Sequence, residues 1–118
     1  MPTWQEIVLT RLVPLVDLAP EWDGYAAPSP HHDAAMFALV VLENIVGDQT
    51  PAPAIVPSGA GGLQLEWHTK GIDLEIHIEA PYVGEVWWRD RRSHEERSAE
   101  LRQDLSFLHE PIGRLSRI

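Results

Sequence analysis

A chain of 118 residues, 44% apolar and 23% charged, is one folded domain's worth: enough to bury a single core, too little for two, and too apolar for a disordered chain. Its formal net charge of −9 is concentrated in residues 1–88, where Arg11 and Lys70 stand against twelve acidic residues for a net of −10, while residues 89–118 set seven arginines against six acids for a net of +1. The acidic body repels nucleic-acid phosphates and steers basic proteins toward it, and the absence of cysteine excludes disulfides, thiolate nucleophiles and any zinc site not built from histidine and carboxylate.

Residues 3–18 read as a helix. Thr3 and Glu6 form a capping box, and Trp4, Ile7, Val8, Leu12, Leu15 and Val16 recur at helical spacing, with Pro14 kinking or splitting the element. Arg11, Pro14 and Asp17 interrupt its apolar run, so it cannot span a bilayer, and the N-terminus has none of the basic start, apolar core and cleavage site of a secretory signal. A cytoplasmic protein without membrane association is expected. A loop over residues 19–29 carries Trp22-Asp23-Gly24-Tyr25 among prolines. Asp23 and Gly24 suit a turn, and the two rings either anchor it over the core or present an exposed binding anchor. The next helix is the clearest in the chain. Ser29 serves as N-cap, Pro30 as first residue and Asp33 as the acid at the positive end of the dipole. Phe37, Val40, Val41, Leu42, Ile45 and Val46 supply a buried stripe before Gly47 stops it. His31-His32-Asp33 lacks helical ligand spacing, because the residues one turn beyond the histidines are Ala35 and Met36.

Ala54-Ile55-Val56 starts a sheet, and Ser58-Gly59-Ala60-Gly61-Gly62 turns into the strongest pattern of the chain: Leu63-Gln64-Leu65-Glu66-Trp67-His68, then Thr69-Lys70-Gly71, then Ile72-Asp73-Leu74-Glu75-Ile76-His77-Ile78-Glu79. Strict alternation over both arms is the signature of a hairpin buried on one side. With Lys70-Gly71 as its two-residue loop, Trp67 pairs with Leu74, Leu65 with Ile76 and Leu63 with Ile78 on the apolar face, while Glu66 faces Glu75, His68 faces Asp73 and Gln64 faces His77 on the polar one. The glycine-rich run is not a phosphate loop, since it enters a strand and lacks the Gly-Lys-Ser/Thr ending. After a turn at residues 80–84, residues 85–89 form another strand, in which Val86, Trp87 and Trp88 are too uniform to assign faces. Ser93 and Glu96 make a second capping box that opens a helix carrying Leu101, Leu105 and Leu108, ended by Pro111 and Gly113. The stripe of Leu101, Leu105, Leu108, Ile112 and Leu115 docks on this domain or on a second copy, which would allow a homodimer through the C-terminal helix. Arg89-Asp90-Arg91-Arg92 beside two tryptophans has the residue types of a nucleic-acid site, but Glu95, Glu96, Glu100 and Asp104 follow at once and favour a helix laced with ion pairs.

Trp22-Asp23-Gly24-Tyr25 and Gly61-Gly62-Leu63-Gln64-Leu65-Glu66-Trp67 together resemble a widespread group of small bacterial proteins of unassigned function that share a WDGY loop and a GG-x-x-LEW strand. The likeness spans roughly residues 19–79, and the run from Arg89 onward departs from it. The resemblance supports the fold and carries no activity onto these residues.

The expected architecture is α+β, with two N-terminal helices on one face of a three- to four-stranded antiparallel meander plus a C-terminal helix. Residues 1–89 form the core domain and residues 90–118 a helical extension packed on the core or on a partner. On the polar hairpin face, facing side chains lie within about 5 Å, where like charges are destabilising unless a cation, a proton or a partner's basic group relieves them. Glu66, Glu75, Asp73 and Glu79, with Trp22 and Tyr25, are therefore the candidate partner-binding residues. They suit a basic protein engaged in the manner of an antitoxin, immunity protein or inhibitor target. No catalytic residue, cofactor or Gly-x-Ser-x-Gly elbow is identified. The competing reading is a metal-dependent or acid/base enzyme using Glu66, Glu75, His68 and His77.

Overall fold

In a computed structural model the described residues are 6–8, 10–11, 32–47, 49–58, 62–101 and 105–116. Helix α1 (His32–Ile45) leads to strands β1 (Ala54–Pro57), β2 (Leu63–Thr69), β3 (Ile72–Ala80), β4 (Val83–Asp90) and β5 (Glu96–Glu100), then to a 3₁₀ turn (Ser106–Leu108) and helix α2 (His109–Leu115). Residues 6–8 and 10–11 are also helical. Thr3, Pro14, Trp22, Tyr25, Ser29 and Pro30, which carried other expectations, lie outside the described residues. The fold is α+β, and its five strands form one antiparallel sheet in the order β1-β2-β3-β4-β5.

The β2–β3 hairpin has the register its alternation predicts, with Leu63 opposite Ile78, Leu65 opposite Ile76 and Trp67 opposite Leu74. Lys70 (φ 53°) and Gly71 (φ 79°) are both left-handed, as in the type I′ turn whose twist matches the flanking strands. The β3–β4 connection is the two-residue Pro81-Tyr82 turn, and a register shift between Ile78 and Ala80 leaves Glu79 as an exposed bulge. Beside it, Gly84 lies so close to β3 that a Cβ would stand 1.9 Å from the His77 carbonyl oxygen, so a side chain at 84 would push the strands apart.

The inner face of the sheet, with Leu63, Leu65, Leu74, Ile76 and Ile78 fully enclosed, packs against Ala34, Ala38, Val41 and Leu42 of α1, and Val8 joins the same core. One expectation for α1 is corrected in detail. Val40 is 45% exposed, because it lies to one side of the stripe, and the alanines at 34, 35 and 38 take the close approach to the sheet. Phe37 packs edge-on against Tyr82 with ring centroids 4.7 Å apart.

The C-terminal third differs most from expectation. Residues 96–100, read as part of a helix and of a helical extension, form β5, giving five strands instead of three or four. The Asp90 carboxylate accepts the backbone N–H groups of Arg92 (2.8 Å) and Ser93 (3.3 Å), and His94 adopts φ 65°, which ties a hairpin between β4 and β5. Ser93 bonds the neighbouring Glu95 and caps no helix. Pro111 lies in the first turn of α2, where its missing N–H has no intrahelical partner to lose, and the helix continues through Gly113 to Leu115. Leu101, Leu108, Ile112 and Leu115 are buried in this chain's own core, so the apolar stripe docks on this domain. Trp88 faces inward at 1% exposure, whereas Trp87 lies on the outer face and donates its indole N–H to Glu96. No helix among the described residues is long and apolar enough to cross a membrane.

One cation closes the inner layer. Arg114 of α2 lies over the Trp88 ring at 5.1 Å and pairs with Asp90 (2.7 Å), Glu95 (3.0 Å) and Glu110 (2.7 Å). Backbone N–H donation from Arg92, then from Ser93 and with Arg114, holds the Asp90 carboxyl below its ordinary value, and the Arg114 hydrogen bond does the same for Glu95, in both cases against the opposing cost of desolvation. Carboxyls depressed in the folded state contribute stability above their unfolded values, here 3.8 and 4.5, and that contribution is lost as pH falls below them. Arg114→Met is expected to lower the melting temperature at pH 7 by roughly 5 °C or more. It should also flatten the loss of stability between pH 5 and pH 3, roughly the window of these carboxyls. Thermal melts followed by circular dichroism across that range check both.

Candidate functional site

The outer face of the sheet collects the polar residues of the alternating strands. Register places Glu66, Glu75 and Trp87 in one row, Gln64, His77, Glu85 and Glu100 in a second, and His68, Asp73, Arg89 and Glu96 in a third. The three polar pairs expected from the hairpin are thus adjacent, and β4 and β5 extend them into a continuous surface. Among the described residues, the helices pack on the opposite face.

The three rows differ electrostatically. Asp73 is not a free surface acid. It is 7% exposed, with Oδ1 2.8 Å from His68 Nδ1 and Oδ2 3.2 Å from Arg89 Nη2 and 3.5 Å from Arg91 Nε. The His68 hydrogen bond first, then Arg89 and Arg91, keep its carboxyl below the ordinary value against the cost of burial. Asp73 is thus held in a junction within the chain, where it organises His68, Arg89 and Arg91. Arg89 and Arg91, which suggested a phosphate site, are engaged in that same junction.

Glu66 and Glu75 are compensated differently. A single neutral donor, the Gln64 side-chain amide, reaches both, at 2.6 Å to Glu66 Oε1 and 3.2 Å to Glu75 Oε1. His68 Nε2 stands 3.9 Å from Glu75 Oε2, too far for a hydrogen bond. No lysine or arginine among the described residues pairs with Glu66, Glu75, Glu79 or Glu85. The two histidines separate: His68 stands beside the two glutamates, whereas His77 has its Nε2 enclosed and without a hydrogen-bond partner, hidden from ligands in solvent.

At the β3–β4 end, Glu79, Glu85 and Glu100 line a shallow recess with Tyr82 and Val83, which are 51% and 50% exposed. Of these, only Glu79 is among the candidate residues that the sequence pattern points to. Glu85 was not legible, since a two-residue turn at Pro81-Tyr82 by itself sets it opposite Ile78, and only the bulge at Glu79 brings it opposite His77. Nor was Glu100, because its placement depends on β5 being a strand. Trp22 and Tyr25, the remaining candidates, lie outside the described residues.

Because Asp73 contributes stability above its unfolded value of 3.8 and loses it as pH falls through its lowered folded value, Asp73→Asn is expected to reduce the urea midpoint at pH 7. The difference from wild type should shrink as pH drops below 3.8. Urea titrations at pH 7, 5, 4 and 3 check the convergence, and parallel curves would assign the effect to packing alone.

Compared with known proteins, the chain matches no family model, no curated protein and no solved structure.

Proposed function

We propose that this chain is a cytoplasmic, non-catalytic protein-binding module whose acidic outer sheet face engages a basic protein partner, as an antitoxin, immunity protein or inhibitor does. One observation carries the reading: Glu66, Glu75 and Glu85 share the outer sheet face, Glu79 lines the acidic recess beside Glu85, and none of the four has a lysine or arginine partner among the described residues. Like charges on facing strands are unfavourable by up to about 1 kcal/mol per pair, a cost that basic side chains of a bound protein would remove. The half-exposed Tyr82 ring at the edge of the acidic recess adds the kind of aromatic anchor that carries binding energy at interfaces. An electrostatic face of this kind speeds association more than it sets final affinity, and its effect is screened over about 8–10 Å at physiological salt.

The reading is tested by affinity capture from lysate of the native organism with wild-type protein and the Glu66→Lys/Glu75→Lys double variant as parallel baits, at low and moderate salt. The expected result is a basic protein retained by wild type, released as salt rises and absent from the variant bait. The variant's circular dichroism should be unchanged, since both side chains are on the outer face. Equal capture by both baits would remove the acidic face as the binding surface.

A further inference from the structure

Glu66, His68 and Glu75 each offer one donor atom, and the three atoms lie within 4.8 Å of one another. Two features set this group apart from a patch of carboxylates. The first is an oriented nitrogen donor. With His68 Nδ1 2.8 Å from the Asp73 carboxylate, the ring carries its proton on Nδ1 and leaves the Nε2 lone pair directed to the side where Glu75 Oε2 stands at 3.9 Å. Asp73 is in turn held by Arg89 and Arg91, so the histidine has a fixed carboxylate behind it, the arrangement by which proteins orient metal-binding imidazoles. The second is the state of the carboxylates. Gln64 hydrogen-bonds one oxygen of each, which orients them without neutralising them, and no lysine or arginine among the described residues supplies the missing positive charge.

We propose that Glu66, His68 and Glu75 bind one zinc-class divalent cation in a solvent-open site, with Asp73 and Gln64 as positioning residues. One imidazole and two carboxylates suit a first-row ion better than magnesium or calcium, which favour all-oxygen shells. Ligands about 2.0–2.1 Å from a tetrahedral ion stand roughly 3.3 Å apart, so the donors must close by about 1.5 Å, a movement within reach of side-chain rotation at a half-exposed histidine. The fourth position faces solvent, open to water or to a donor group of a bound molecule. The site does not depend on the partner reading, and the purified chain alone tests it.

The experiment is calorimetric titration of the tag-free, chelator-stripped chain with ZnCl2, backed by the visible absorption of the Co2+ form. Wild type is expected to bind one ion with Glu66, His68 and Glu75 as ligands. His68→Ala and Glu75→Gln should each weaken binding at least about tenfold. Glu85→Gln, on the same face but outside the group, should bind as wild type does. Both ligand variants remove an exposed or half-exposed group, and matching circular dichroism spectra keep the comparison valid. Absence of binding by wild type at millimolar zinc overturns the proposal. So does wild-type affinity in both ligand variants, a result that would place the ion elsewhere, such as at His31-His32.

Discussion

The two-residue turn at Lys70-Gly71 and the register it sets govern the rest of the molecule. Side chains alternate along a strand, so a slip of one residue between β2 and β3 would turn one strand over, either putting Leu63 and Leu65 into water with Glu66 under the helix, or putting Leu74, Ile76 and Ile78 into water with Glu75 and His77 under it. Burying each of those aliphatic side chains is worth about 1.5–3 kcal/mol, whereas a like-charge pair on the outer face costs about 1 kcal/mol or less. The core term wins by a wide margin. The acidic pairing of Glu66 with Glu75 is therefore imposed by the apolar face, and the outer surface must accommodate it.

That accommodation is uneven across the sheet. At the end near the β2–β3 turn, buried acids are matched by arginines: Asp73 by Arg89 and Arg91, Asp90 by Arg114. Both carboxylates also accept other hydrogen bonds, so each is satisfied as a buried charge must be. Toward the middle and far end, Glu66, Glu75, Glu79 and Glu85 have no arginine or lysine partner among the described residues, and a glutamine amide bridges the first two. The arginines concentrated after residue 88 thus do not neutralise the acidic body evenly. Those among the described residues lock the turn region and leave the centre of the face negative, where the proposed partner surface and the proposed cation site lie.

The C-terminal segment shows how weak local signals yield to long-range pairing. A capping-box pattern at Ser93 and Glu96 has a propensity worth about 1 kcal/mol. Against it stand the backbone pairing of β5 with β4, the Asp90-centred turn, and the burial of Leu101, Leu108, Ile112 and Leu115 beyond it. Arg114 over Trp88 and the 2.6 Å hydrogen bond between the Thr50 and Ser116 hydroxyls fasten the last helix to β4 and to the segment after α1. The tail completes the core.

The alternation from Leu63 to Glu79, together with a turn pair suited to positive φ, was enough to read the central hairpin residue by residue, including every facing pair of its polar side. It was sufficient because strand periodicity and turn geometry are local, and one buried face leaves a single acceptable register. Helix α1 was legible for a similar reason, although its own periodicity did not show that Val40 would face solvent. Which of Trp87 and Trp88 is buried, the conversion of residues 96–100 into a fifth strand, the loss of Asp73 to an internal junction, and the addition of Glu85 and Glu100 to the acidic face were decided by tertiary structure. Each depends on what a neighbouring strand or helix places opposite, and pairing between separate elements is a property of the assembled sheet that no local pattern encodes.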